Sequence, residues 1–119
     1  MNLEEKVIAA IRHGVPFSHR NITVKQTDGR TELFINGHRL YCVSDRYEAF
    51  CLYSFQSRAA QKKALYLLDK VKTMPVRICI QGNLCKYTYD KKPGTWYAAS
   101  SNALFVYDKQ SETIRACLG

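Results

Sequence analysis

Asn21-Ile22-Thr23-Val24-Lys25-Gln26-Thr27-Asp28-Gly29-Arg30-Thr31-Glu32-Leu33-Phe34-Ile35-Asn36-Gly37-His38-Arg39-Leu40-Tyr41 is the stretch on which the fold turns. Asp28-Gly29 and Asn36-Gly37 are the dipeptides that most favour two-residue hairpin loops, whose central positions need φ > 0. Set between runs of alternating apolar and polar residues, they predict three antiparallel strands. Counting outward from the turns places Val24 opposite Leu33, Ile22 opposite Ile35 and Leu33 opposite Leu40, with Lys25 opposite Glu32 on the other face. Both turns independently give one apolar face, and a slip of one residue would expose all of it. Ile22, Val24, Leu33, Ile35 and Leu40 are therefore the expected core of this meander. His38 falls on the same side beside Ile35 and reads as a sheet-end histidine with a local hydrogen bond.

Upstream, Leu3, Val7, Ala10 and Ile11 stand at helical spacing and Gly14 follows as a stop, so the chain opens with a short amphipathic helix. Val15 to Arg20 breaks periodicity around Pro16 and reads as a connecting loop. Downstream, Ser44-Asp45-Arg46 leads into a fourth strand, Tyr47 to Tyr53, with Phe50 near Tyr41 and Cys51 near Leu40. Ser57 caps a helix from Arg58 to about Met74, ended by Pro75, with Ala60, Ala64, Leu67, Leu68 and Val71 on its inner stripe. Its outward side carries Arg58, Lys62, Lys63, Tyr66, Asp69, Lys70 and Lys72.

Val76 to Ile80 and Leu84 to Tyr89 flank Gln81-Gly82-Asn83 as a further hairpin. Ile78, Ile80, Cys85 and Tyr87 share one face, and Arg77, Lys86 and Thr88 the other. After the charged turn Asp90-Lys91-Lys92-Pro93-Gly94, strands are expected over Thr95 to Ala99, Leu104 to Tyr107 and Thr113 to Cys117, giving a second meander. The whole is one α+β domain over residues 1–119: two antiparallel β-meanders, an N-terminal helix and a central basic amphipathic helix packed on the sheet. Trp96 has two placements. A four-residue link to the preceding strand turns it to the core, and a five-residue link sets it beside Thr88 and Arg77. A lone tryptophan in a small domain usually packs, which favours burial.

A chain of 119 residues with 46% hydrophobic and 24% charged residues can bury a core without disulfide or metal. Its acidic start, Met1 to Lys6, is unlike a signal peptide, and no apolar run reaches membrane-span length, so a cytoplasmic location with no membrane partner is expected. Cys42, Cys51, Cys79, Cys85 and Cys117 are odd in number and sit in apolar strands, as reduced core residues do. No C-x-x-C spacing or histidine pair points to a metal, and no P-loop or dinucleotide motif to a cofactor.

The formal charge of +8 is unevenly spread. Residues 56–92 hold nine Lys/Arg against two Asp/Glu, an excess of 7, while the flanking segments are nearly balanced. A localised cationic region attracts polyanions or acidic protein faces. With eight tyrosines and Trp96 available for stacking, the leading reading is a non-catalytic protein that contacts RNA or single-stranded DNA. Its expected binding residues are Arg58, Lys62, Lys63, Tyr66, Lys70, Arg77, Lys86, Lys91 and Lys92. The alternative is a protein-binding inhibitor of a larger nucleoprotein or defence complex, of phage or mobile-element type, docking on an acidic protein surface. A third reading takes His13 and His19, beside Arg12 and Arg20, as the acid and base of a nuclease. No nucleophile, oxyanion turn or orienting residue accompanies them, so an enzyme is not the expected reading. No segment carries the signatures of RRM, KH or zinc-ribbon modules.

Overall fold

The computed structural model describes residues 2–52, 55 and 57–117. In chain order the elements are α1 (Leu3–His13), β1 (Phe17–His19), β2 (Ile22–Thr27), β3 (Arg30–Ile35), β4 (His38–Val43), β5 (Tyr47–Cys51), α2 (Arg58–Val71), β6 (Val76–Gln81), β7 (Leu84–Tyr89), β8 (Tyr97–Ser100), β9 (Leu104–Asp108) and β10 (Thr113–Cys117). The fold is α+β, with one sheet ordered β1-β2-β3-β4-β5-β9-β10 and a second ordered β6-β7-β8. All pairings are antiparallel.

The two hairpin turns form as their residues require. Asp28 and Gly29 take φ of 47° and 79°, Asn36 and Gly37 52° and 78°, so both central positions of each turn are left-handed. Val24 pairs with Leu33, Ile22 with Ile35 and Lys25 with Glu32. The next ladder departs from the expected register. His38 pairs with Ile35 and Arg39 with Phe34, but Leu33 pairs with Tyr41, because Leu40 is an extra residue at a bulge. Leu40 is nonetheless fully buried. The bulge also re-aims this end of the sheet, and His38 is exposed at its rim rather than in the core, 6.3 Å edge-on from the Phe55 ring.

Val15 to Arg20 is not merely a loop. Phe17–His19 forms edge strand β1, paired to β2 with Phe17 opposite Val24. Pro16 precedes that strand, where its missing N–H costs no ladder bond. The fourth strand pairs Phe50 with Tyr41 as expected and is described to Cys51; Tyr53 lies outside the described residues.

Asn2 caps α1 by accepting from the Glu5 N–H at 2.8 Å, and Gly14 closes it at φ 64°. Ser57 caps α2 through the Ala60 N–H at 3.0 Å. This helix ends at Val71 rather than Met74, because Lys72 turns extended and the Thr73 N–H donates to Glu48 instead of a helical carbonyl. Lys72, expected on the outer side, folds inward: its Nζ donates to the Val76 carbonyl at 2.8 Å.

Beyond Pro93 the three expected strands divide between the sheets. β8 completes the β6-β7-β8 meander, whereas β9 pairs with β5, Phe105 opposite Phe50, and carries β10 on its far edge. One face of the large sheet holds the core. α1 lies against β2 and β3, α2 against β4, and the small sheet reaches the same face where Tyr87 meets Phe105 edge-on at 6.1 Å. Phe105 in turn stacks on Phe50 at 4.8 Å. Val7, Leu33, Phe50, Leu68, Val71, Val76 and Phe105 are almost fully buried there. Removing one such side chain from water contributes about 1.5–3 kcal/mol.

Candidate functional site

The cationic segment occupies the exposed side of α2 and the outer face of the small sheet. Along α2, Arg58, Lys62, Lys63, Tyr66 and Lys70 are all exposed or partly so, the tyrosine standing 58% open with the Lys70 Nζ 5.3 Å over its ring. The helix divides these residues between two flanks. Arg58 and Lys62 line a cleft of about 520 Å³ against the Gln81–Asn83 turn of the small sheet, while Lys63 lines another against Asn21 and Asn36 of the large one.

On the small sheet, Arg77 pairs with Thr88 and Cys79 with Lys86, whose other neighbour is Ala98. Paired residues project from the same side of the pleat, so Arg77 and Lys86 share the outer face, as the alternation predicts. Leu84, 45% exposed, completes the next row. Thr88 points the same way but is covered, donating from Oγ1 to the Thr95 carbonyl at 2.6 Å as the 90–96 loop folds over it.

That loop decides Trp96. Tyr87 pairs with Tyr97, which sets Trp96 level with Thr88 on the outer face. It is 49% exposed and lines a cleft with Lys72, Arg77 and Asp90. Burial, the expectation for a lone tryptophan, is thus overturned: the register gives the inward side of this strand to Tyr97 and Ala99, opposite Tyr87 and Cys85, and leaves Trp96 on the other. Trp96 is the aromatic member of the cationic face that composition alone did not identify. The sequence left two registers open, and the Tyr87–Tyr97 pairing is the one that sets Trp96 beside Thr88.

Lys91 and Lys92 do not join this face. Both are exposed in the turn after β7 and line a different cleft, between the sheets, where Lys91 pairs with Glu112 at 3.0 Å. Among the described residues Arg58, Lys62, Arg77 and Lys86 have no ion-pair partner, so their charge is available to a ligand.

His13 and His19 are both exposed, one at the end of α1 and the other at the end of β1. All five cysteines are free thiols. Burial pushes Cys85 up to about 12 and raises Cys42, which keeps both protonated and poorly nucleophilic. Among the described residues no group of three His, Cys, Asp or Glu side chains stands together to hold a metal. Nor is any helix among them long and apolar enough to cross a membrane.

One buried polar cluster escaped the sequence altogether. Glu48 on β5 is 0% exposed and accepts from the Tyr41 hydroxyl, from the Thr73 N–H at 2.8 Å and from the Thr73 hydroxyl at 2.6 Å. Burial, then the adjacent Glu48 carboxylate, push the Tyr41 phenol far above its usual range, so it stays a donor. The cluster ties the end of α2 to the large sheet: Glu48 and Tyr41 are buried, and Thr73 closes it from the exposed side. Comparison with protein-family models, with curated proteins and with solved structures finds no match to this chain.

Proposed function

We propose that this is a non-catalytic nucleic-acid-binding protein that holds unpaired RNA or single-stranded DNA across the outer face of the β6-β7-β8 sheet and the adjoining edge of α2. The observation that carries this reading is the half-exposed Trp96 beside Arg77 and Lys86 on one sheet face. An exposed indole offers a stacking surface to any base, and flanking cations meet the phosphates on either side. Arg58 and Lys62, in the cleft against the 81–83 turn, extend the cationic track along the helix.

The test is a salt series of binding to a labelled single-stranded oligonucleotide. Each cation that no longer meets a phosphate of a single strand lowers the slope of log K against log salt by about 0.7, so Arg77→Glu with Lys86→Glu should lower it by about 1.4. A double variant that keeps its fold, its affinity and its slope overturns the reading. Exposed Leu84 favours a second reading, in which the face docks on an acidic protein. Oligonucleotide binding would then be weak in the unaltered protein, and a partner would be captured from lysate and lost with the same double variant.

A further inference from the structure

We propose that the cleft between the two sheets binds a nucleoside 5′-phosphate. The site lies on the opposite side of the small sheet from Trp96, since Tyr87 and Tyr97 alternate with Thr88 and Trp96 along their strands, and it does not depend on that outer face.

The cleft, of about 490 Å³, falls within the range of small-molecule sites. Its floor is the buried pair Tyr87 and Tyr107, and its wall is Tyr89 with the 39% exposed Tyr97. The rings brace one another. Tyr97 stacks on Tyr87 at 5.4 Å and meets Tyr89 edge-on at 5.6 Å, while the Tyr89 hydroxyl accepts the Ile114 N–H at 3.0 Å. A wall so held loses little side-chain entropy when a ligand enters. Such a lining suits a flat aromatic ring.

The rim adds charge. Glu112 is neutralised by Lys91 at 3.0 Å, and Lys92 has no ion-pair partner among the described residues, which leaves one net cation at the mouth. Ser111 and Thr113, also lining the cleft, share a hydrogen bond between their hydroxyls at 2.7 Å and keep one hydroxyl proton and spare lone pairs for a sugar. An aromatic base, a hydroxylated sugar and an anionic phosphate together match this lining, whether as a free nucleotide or as the phosphorylated end of a strand.

Calorimetric titration of the whole chain with AMP, GMP, CMP and UMP, and with adenosine and inorganic phosphate alone, tests the proposal. At least one nucleoside monophosphate should bind saturably. Tyr97→Ala should weaken it about tenfold, as expected when one stacking ring is removed. Lys92→Glu, in an exposed turn, should weaken the monophosphate while leaving adenosine unchanged. Competition by a 5′-phosphorylated oligonucleotide, but not its 5′-hydroxyl form, assigns the ligand to a strand end; competition by neither assigns it to the free nucleotide. Trp96→Ala must leave monophosphate binding intact, which separates this site from the outer face. No saturable binding of any monophosphate, or unchanged binding by a folded Lys92→Glu protein, overturns the proposal.

Discussion

Glu48 shows how much one side chain can hold. Three donors converge on its carboxylate, two of them from Thr73, so Glu48→Ala leaves the buried Tyr41 hydroxyl and the part-buried Thr73 N–H and hydroxyl without their acceptor. Each unpaired buried donor costs about 1–3 kcal/mol and the hydroxyls can rotate toward other partners, so the variant should lose about 3 kcal/mol. Glu48→Gln keeps one acceptor oxygen and should lose about 1 kcal/mol. Denaturant midpoints measure both. A full loss in Glu48→Ala beside none in Glu48→Gln would mean that packing volume, rather than hydrogen bonding to the carboxylate, is what Glu48 supplies. A charged residue in a strand with ordinary alternation carries no sequence mark of this role, because its partner Thr73 is 25 residues away in a connection with no periodicity.

At the scale of elements, α2 is the part most open to experiment. Its inner stripe, Ala64, Leu67, Leu68 and Val71, is buried, so charge reversal on the outer side should leave stability within about 0.5 kcal/mol. Lys62 and Lys63 are adjacent in sequence but line clefts on different sheets. Lys62→Glu should therefore weaken oligonucleotide binding, and Lys63→Glu should leave it nearly unchanged. Equal weakening in the two binding isotherms would mean that the ligand covers the whole helix, not its small-sheet flank.

The elements were legible wherever local chemistry determined them. Two Xaa-Gly turns, the Ser57 cap, the Gly14 stop and two apolar stripes each lie within a few residues of what they specify. The bulge at Leu40 was not legible, since counting from a turn assumes an unbroken pleat. The edge strand β1 was masked by Pro16, a residue that breaks helices but tolerates a strand start. The pairing of β9 with β5 joins segments separated by α2 and the entire small sheet, and no local signal reports that choice. The basic face was visible as a count of charges. Its division, with Lys63 on one flank and Lys91 and Lys92 in another cleft, required the tertiary arrangement.

For the molecule as a whole, acid should act through the ion pairs at the sheet surface. Arg39 donates to Glu32 at 2.9 Å and holds its carboxyl below the ordinary 4.5 despite partial burial. A depressed folded value means that the pair stabilises above the unfolded value and that this stabilisation disappears as pH falls through the folded one. Arg46 depresses Asp108 in the same direction through hydrogen bonds at 3.3 and 3.5 Å. Because Arg39 is half exposed, its pair contributes about 0.5 kcal/mol. The midpoint difference between the unaltered protein and Arg39→Met should thus be present at neutral pH and vanish below the carboxylate range. A difference that persists in strong acid would assign the stabilisation to the arginine's packing instead.

Trp96 is the single tryptophan of the chain, so its fluorescence reports on the proposed face with no competing indole. Stacking on a base should quench that emission. Titration with an unlabelled single-stranded oligonucleotide should give a saturable quench that added salt reverses, with a midpoint matching the anisotropy of a labelled strand. Unchanged Trp96 emission at oligonucleotide concentrations where anisotropy reports full binding, or no binding by either readout at low salt, would contradict the account.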